Sequence, residues 1–240
     1  MKNRFRVKSI FRNLFLGFLY RLPKRFVLIT LLKMDNWIYY LLGKAATHAN
    51  KGIHPKHRYM QYHDFFIERI RPGSRVLDIG CGNGVVALEI AQKTGAKVTG
   101  IDSDSTKIAE AKQRDPGSLV EFIVGDVLQN LPAGPYEAVI LSNVLEHLID
   151  RVGFLESLVR ALNPSSLLIR VPLIDRDWRV ALKQEMGVDW RLDPTHYIEY
   201  TLETFTAEMK AACLSIHHIE VRWGEIWSEI HPNDLEQPCT

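Results

Sequence analysis

Val76-Leu77-Asp78-Ile79-Gly80-Cys81-Gly82-Asn83-Gly84 decides the reading of this 240-residue chain. A short apolar strand runs into three glycines on alternate positions. Without a Cβ, such residues permit a tight turn and let a ligand lie against bare backbone. The helix expected next, Val85 to Thr94, would aim its free N–H groups at the same space. Glycine turns also join strands to helices with no ligand involved, so the weight falls on three acids. Asp78 lies inside the strand, Asp102 ends the apolar run Lys97–Ile101, and Asp126 follows Gly125 at the end of Leu119–Val124.

Loops at the carboxyl ends of parallel strands form the ligand crevice of a doubly wound sheet. There Asp102, with Ser103 beside it, is placed to accept hydrogen bonds from both hydroxyls of a ribose. Asp126 and Val127 fall one strand further along, at a purine edge. The ordered set resembles the class I S-adenosylmethionine-dependent methyltransferases. Asp-Ile-Gly-Cys-Gly-Asn-Gly matches their first motif, and Gly-Ile-Asp-Ser-Asp, Gly-Asp-Val-Leu and Tyr-Glu-Ala-Val-Ile-Leu-Ser-Asn-Val-Leu-Glu-His-Leu follow at the expected intervals. The resemblance covers about Lys56 to Ile230. It implies a seven-stranded, mostly parallel sheet with helices on both faces, closed by the antiparallel pair Ile216–Trp223 and Glu225–Ile230. It also implies S-adenosylmethionine as cofactor, held by Asp78, Gly80, Cys81, Gly82, Gly84, Asp102, Ser103, Asp126, Val127, Ser142 and Asn143.

A nicotinamide dinucleotide is the rival ligand. Its binding turn reads Gly-x-Gly-x-x-Gly and faces a pyrophosphate. Here the spacing is Gly-x-Gly-x-Gly, and the Asp78 carboxylate would repel a pyrophosphate but suits an amino group and a sulfonium.

Charge is divided unevenly. Residues 1–60 carry thirteen Lys or Arg against the single acid Asp35, and the remainder carries 17 basic against 27 acidic residues. Such asymmetry points to a polyanion or an anionic membrane. The arm is also apolar: Phe11, Leu14, Phe15, Phe18 and Leu22 recur at helical spacing, with Arg4, Arg12 and Arg21 placed to snorkel beside them. Pro23 should end or bend this helix. Separate apolar stretches follow at Phe26–Leu32 and Trp37–Leu42. No apolar run approaches the ~18 residues of a membrane span, and no secretory cleavage site follows.

Residues 1–46 thus read as a basic amphipathic arm on a methyltransferase domain of residues 47–240, with residues 1–43 lying on the cytoplasmic face of a membrane. Packing on the domain or on a second subunit is the alternative. Nucleic acid is disfavoured, because the arm's aromatics show no stacking platform. Oligomeric state is left open. Cys81, Cys213 and Cys239 show no paired or metal-type spacing, which fits reduced thiols in a cytosol.

Polar residues and four histidines (48, 54, 57, 63) collect over Thr47–Ile70, where a helix His57–Ile70 is expected. Pro55 disturbs any metal geometry among these histidines. His54-Pro55-Lys56-His57-Arg58 resembles a motif of the ubiquinone-biosynthesis O-methyltransferases, and that match pairs Arg58 with the cofactor's carboxylate. The fourth strand, Tyr136–Leu141, delivers Ser142, Asn143, Glu146 and His147 to the crevice. His147 is a candidate base for a hydroxyl acceptor, with Glu146 orienting it; bracing the next helix is its structural alternative.

After the fifth strand, Leu167–Val171, an insertion rich in Trp, Arg and Asp runs to Asp193-Pro194-Thr195-His196-Tyr197. It precedes a helix at Leu202–Cys213, with Thr201 as N-cap. His196 is a candidate second base or substrate ligand. The ubiquinone enzymes carry a similar histidine, as do small-RNA 2′-O-methyltransferases, which bind a metal through Glu-x-x-Glu-His. Asn143 stands at the first Glu position here, so no metal is expected.

Two function classes follow. One is an O-methyltransferase acting at a membrane surface on a small-molecule, sugar or lipid-linked acceptor, with a prenylated quinone precursor as alternative. The other is a non-catalytic, cofactor-binding membrane partner.

Overall fold

The computed structural model describes residues 21–233, together with Gly17. Phe11, Leu14, Phe15, Phe18, Arg4, Arg12 and Cys239 lie outside the described residues. The described chain begins α1 (Lys24–Ala49), α2 (Lys56–Met60), α3 (Tyr62–Ile67), β1 (Arg75–Ile79), α4 (Val85–Thr94), β2 (Lys97–Asp102), α5 (Ser105–Arg114) and β3 (Val120–Val124). It continues β4 (Ala138–Ser142), α6 (Arg151–Leu162), β5 (Ser166–Pro172), α7 (Trp178–Met186), α8 (Leu202–Ala211), β6 (Leu214–Arg222) and β7 (Glu225–Pro232). Two compact units result: Met1–Pro55 with Asp177–Arg191, and Lys56–Arg176 with Leu192–Thr240.

The larger unit is one seven-stranded sheet in the order β3-β2-β1-β4-β5-β7-β6. Its first five strands are parallel, and β7 runs antiparallel to both β5 and β6. This is the doubly wound arrangement the motif order implies, with the order reversing between β1 and β4. Helices on both faces explain why β1, β4 and β5 are buried almost throughout and read as continuous apolar runs. One core holds Leu77, Ile79, Val139, Leu141 and Leu155, with Tyr200 and Phe205; the other holds Phe66, Val76, Ile90, Ile140 and Trp227.

Helix starts follow their caps. Asp104 accepts from the Thr106 and Lys107 amides, and Asp150 from the Gly153 amide. Thr201 and Thr204 close a capping box on α8, worth about 1 kcal/mol in such positions.

Several expected elements differ. Phe26–Leu32 and Trp37–Leu42 belong to one 26-residue helix, α1. Lys33-Met34-Asp35-Asn36 contains no glycine or proline, so nothing interrupts the backbone hydrogen bonds. Pro23 is the N-cap of α1; the upstream helix that it was expected to end or bend lies, but for Gly17, outside the described residues. The single helix expected at His57–Ile70 splits at Gln61, whose φ of 53° takes the left-handed conformation. The insertion after β5 hides α7, capped by Asp177. Arg179 Nη1 and Lys183 Nζ, both on α7, each reach Asp35 of α1 at 2.7 Å. The only acid of the arm is therefore neutralised by residues some 150 positions away, a pairing that local sequence does not encode. Cys81 is a free, buried thiol.

Candidate functional site

The turn between β1 and α4 is built as a cradle. Gly80, Gly82 and Gly84 all have positive φ (68°, 55° and 76°), so side chains there are strained. The reasons for glycine differ along the turn. A Cβ on Gly84 would meet Phe122 at 2.5 Å and Ala111 at 2.9 Å, and one on Gly80 would meet Val144 at 2.9 Å. Nothing lies within 4 Å of a Cβ on Gly82. Gly84 and Gly80 are thus required by packing, and Gly82 borders open space.

Backbone bonds from Gly80 and Cys81 to the Ile101 carbonyl tie the turn to β2. Asp102 completes the tie: Oδ2 accepts from the Gly82 amide at 2.8 Å and Oδ1 from the Asp104 amide at 2.9 Å. A carboxylate has about four lone-pair sites, so each oxygen keeps one for a ligand hydroxyl. Ser103 is exposed beside it. Asp126 is exposed and accepts from the Leu128 amide and Gln129, while Val127 packs against the core.

Asp78 is the outlying group. It is 2% exposed, its Oδ2 has no hydrogen-bond partner, and burial, then the charge of Asp102, push its pKa up to about 7. An orphaned buried carboxylate suits an ammonium ligand better than a phosphate. Burial, then the Asp78 charge, also raises the Cys81 thiol.

The second half of the site forms at the end of β4. Ser142 faces Arg170 of β5, whose Nε donates to Ser142 Oγ at 3.1 Å. Asn143 adopts a left-handed φ of 59° and buries an unpartnered Oδ1. A 3₁₀ turn, Leu145–His147, then carries Glu146 and His147. Glu146 is completely buried, with both carboxylate oxygens unpartnered, and burial pushes its pKa up to about 7. The Tyr197 amide donates to the Glu146 carbonyl at 2.8 Å. That bond brings the distant Asp193–Tyr197 loop over the turn and sets the His147 and His196 rings edge to face, 4.7 Å apart. His147 Nδ1 meets Thr195 Oγ1 at 2.9 Å; burial, then His196, lowers its pKa.

Of the residues singled out from sequence, the fold brings Asp78, the glycine turn and Asp102 together, and Glu146, His147 and His196 together. Arg58 is exposed, its guanidinium 4.7 Å from the ring of its neighbour Tyr59. The arrangement fits S-adenosylmethionine: a bare backbone edge at Gly82, an unsatisfied carboxylate for an amino group, and an acid with spare lone pairs for a ribose.

A family model for the methyltransferase domain matches residues 52–219, more than half of the chain. The chain belongs to this family of class I S-adenosylmethionine-dependent methyltransferase domains. It is 32% identical over 122 residues to a ubiquinone biosynthesis O-methyltransferase of Bradyrhizobium diazoefficiens, covering 50% of this chain and 47% of that one. A ribosomal protein L11 methyltransferase of Thermus thermophilus is 36% identical over 111 residues, or 44% of this chain and 43% of that protein. The chain thus spans about half the length of the curated relatives it matches. Among solved structures, magnesium protoporphyrin IX methyltransferase from Synechocystis PCC 6803, with bound S-adenosylhomocysteine, aligns with a TM-score of 0.58 at 21% identity. That alignment covers 73% of this chain and 84% of that one and shows a common fold.

In this methyltransferase domain the sequence reading missed three charged groups. Arg170 is 3% exposed, sits 3.7 Å from the centroid of the Tyr62 ring and 3.3 Å from Glu225. Its one signal was a cation inside an otherwise apolar buried strand, which needs partners. Lys56 is also largely enclosed, and burial, then Arg170, lowers its pKa. Glu199, 4% exposed, lies 3.4 Å from His196 Nδ1 and accepts from Arg176 and the Leu192 amide. No local pattern marked it.

Proposed function

We propose that this methyltransferase domain transfers a methyl group from S-adenosylmethionine to an oxygen acceptor at a membrane surface. The observation that carries this reading is the Glu146–His147–His196 cluster, where the turn after β4 meets the Asp193–Tyr197 loop beside the cradle. When bound, S-adenosylmethionine supplies an electrophilic methyl on a sulfonium. Asp78 holds its amino group, Asp102 and Ser103 its ribose, and Asp126 with Val127 its purine edge. The Gly80–Gly84 turn with Cys81, and Ser142 with Asn143, enclose the rest. Arg58 serves the carboxylate by leaving the Tyr59 ring. His147 faces the acceptor oxygen and takes its proton, with Glu146 as its orienting partner, and His196 serves as a second base or as a ligand to the substrate. Alignment of nucleophile and methyl supplies the rest of the acceleration.

The acceptor we favour is a glycan or lipid-linked sugar. A polar rim of Asp193, Thr195 and Tyr197, all exposed, suits hydroxyl-rich groups. A prenylated phenol is the second reading, favoured by the ubiquinone-biosynthesis relative. Membrane attachment rests on α1, where Phe26, Trp37, Ile38, Tyr39, Tyr40 and Leu42 are each more than half exposed. With Asp35 paired to Arg179 and Lys183, the helix adds Lys24, Arg25, Lys33 and Lys44 as cations with no competing acid. Each cation near an anionic leaflet contributes on the order of 1 kcal/mol. Among the described residues no helix is long and apolar enough to cross a membrane.

Release of S-adenosylhomocysteine from sugars, lipid-linked sugars and catechol-type quinone precursors tests the reading. Transfer to a sugar hydroxyl confirms the first acceptor class, and transfer to a catechol the second. Cofactor binding with no transfer to any acceptor supports a non-catalytic partner instead.

A further inference from the structure

We propose, resting on the acceptor site described above, that Arg170 of β5 anchors an acidic group, a carboxylate or a phosphate, carried by the methyl acceptor. The sugar class favoured above then narrows to acidic sugars, such as uronic acids or sugar phosphates.

Alternation along β5 puts Arg170 on the face of Leu168, which packs in one core with Ile140 and Trp227. Register sets it opposite Ser142, the last residue of β4. Three contacts fix the guanidinium. Nε donates to Ser142 Oγ at 3.1 Å, the Tyr62 ring centroid lies 3.7 Å from Cζ, and Glu225 Oε2 lies 3.3 Å from Nη1. Tyr62 is itself fastened from behind. Its hydroxyl meets His57 Nδ1 at 2.8 Å, His57 meets His63 at 2.7 Å, and His63 meets Glu89 of α4. A guanidinium stacked and bonded in this way presents its fork in one plane, so little further entropy is lost on binding. Nη1 is nevertheless buried with no hydrogen bond. Glu225 supplies charge without alignment, and its Oε2 already accepts from Trp227 Nε1 at 3.1 Å. An unmade buried donor costs about 1–3 kcal/mol, more on a charged group, and a bound anion recovers that cost.

The orphaned atoms of the crevice sort by charge. Asp78 Oδ2, Asn143 Oδ1 and both Glu146 carboxylate oxygens lack donors, whereas Arg170 Nη1 lacks an acceptor. In the reading above the cofactor's ammonium goes to Asp78 and its carboxylate to Arg58, which leaves Arg170 for another anion. Position agrees with that division. Arg170 stands two strands along the sheet from the β1 cradle, about 10 Å away at about 4.8 Å per strand. Its partner Ser142 instead leads into the Leu145–His147 turn of the acceptor site. Burial raises the Glu146 pKa, and the charge of Arg170 reaches far enough to oppose that rise. Lys56 brings a second cation within electrostatic reach of both Arg170 and Glu146. Because Arg170 is nearly enclosed, an anion meets it shielded from water, where a charge-assisted pair is strongest. A neutral sugar offers only hydroxyls there, and an acidic one offers the missing charge.

The test uses the full chain saturated with S-adenosylhomocysteine and melted against rising glucuronate, glucose 1-phosphate or neutral glucose at fixed ionic strength. A saturable rise in Tm with at least one acidic sugar, and none with glucose, is expected. Arg170→Met should weaken that acidic sugar at least about tenfold. Arg170→Lys, which keeps the charge but not the fork, should recover part of the affinity. Cofactor affinity should be retained in both. Arg170→Met leaves Glu225 buried without its cation, so the double variant Arg170→Met/Glu225→Gln gives the same reading should the single one fail to fold. Acidic sugars that do no better than glucose overturn the anchor, as does undiminished affinity in the folded variants. Arg170→Met that weakens S-adenosylhomocysteine but not its decarboxylated analogue also overturns it, by giving Arg170 to the cofactor's carboxylate. Transfer to a neutral sugar with kcat/KM unchanged in Arg170→Met keeps the O-methyltransferase reading and overturns the acidic acceptor. Acid binding that is lost with Arg170, yet without transfer to any acceptor, supports the anchor and refutes only that reading.

Discussion

Replacing Asp78 by Asn separates ligand binding from folding at a single atom. In the folded chain the Asp78 pKa is raised from 3.8 to about 7, first by burial and then by Asp102. Below pH 7 the ligand-free protein therefore holds this group as a neutral acid. A ligand ammonium favours the carboxylate, so affinity should climb with pH and level off above about 7. At pH 5.5 only about 3% of a pKa 7 acid is ionised, which predicts roughly thirtyfold weaker binding than at the plateau. Stability should run the opposite way. Because the folded pKa lies above the unfolded value, this residue's contribution is fully present below pH 3.8 and lost as pH rises through 7. The loss is on the order of 4 kcal/mol at the upper end. Asp78→Asn should thus unfold at a higher temperature than the parent at pH 8 when ligand-free. The same variant should bind S-adenosylhomocysteine about ten- to a hundredfold more weakly at pH 8, the range for a lost charge-assisted hydrogen bond. Its affinity should no longer depend on pH from 5.5 to 8.5. Calorimetric titration across that range, with thermal melts at both ends, reads all three effects. Parental binding that is flat with pH, or Asp78→Asn binding like the parent, refutes the ammonium assignment.

Asp102→Ala should weaken S-adenosylhomocysteine by roughly 1.5–3 kcal/mol, the range for hydrogen bonds to a charged group, and Gly82→Val should remove binding; parental affinity by calorimetry in either variant refutes the cradle. His147→Ala and His196→Ala should each lower turnover on the identified acceptor at least about a hundredfold while cofactor affinity survives, and normal kcat in both would reduce catalysis to alignment alone. The full-length protein should sediment with anionic vesicles and be released as salt rises, since charge is screened within ~10 Å at 0.1 M. Deletion of residues 1–43 should abolish sedimentation and spare cofactor affinity; a full-length protein that ignores vesicles makes the exposed α1 face a protein interface.

The cofactor half of the site was legible because it is local. Asp78 and the three glycines occupy seven consecutive residues, and Asp102 and Asp126 each end an apolar run, so strand, turn and acid are adjacent in sequence and in space. The acceptor half was only half legible. His147 and His196 stood out as residue types in crevice loops. Their apposition depends on the Tyr197-to-Glu146 backbone bond, which joins positions 51 residues apart. Glu199, Lys56 and Arg170 drew no attention, because each is defined by what it touches across the fold.

Sequence alone determined the glycine turn, the α4 helix and the cap at Thr201, since periodicity, glycine conformation and capping are properties of neighbours along the chain, and the order of the motifs, through the family resemblance, implied the doubly wound sheet. Tertiary structure decided that Asp35 is neutralised by Arg179 and Lys183, that Gln61 splits a helix, and that Gly84 serves packing while Gly82 borders open space. It also decided that the Glu146 carboxylate is buried without a hydrogen bond beside two imidazoles. Burial and desolvation set these outcomes, and both are fixed by atoms that folding brings together from distant parts of the chain.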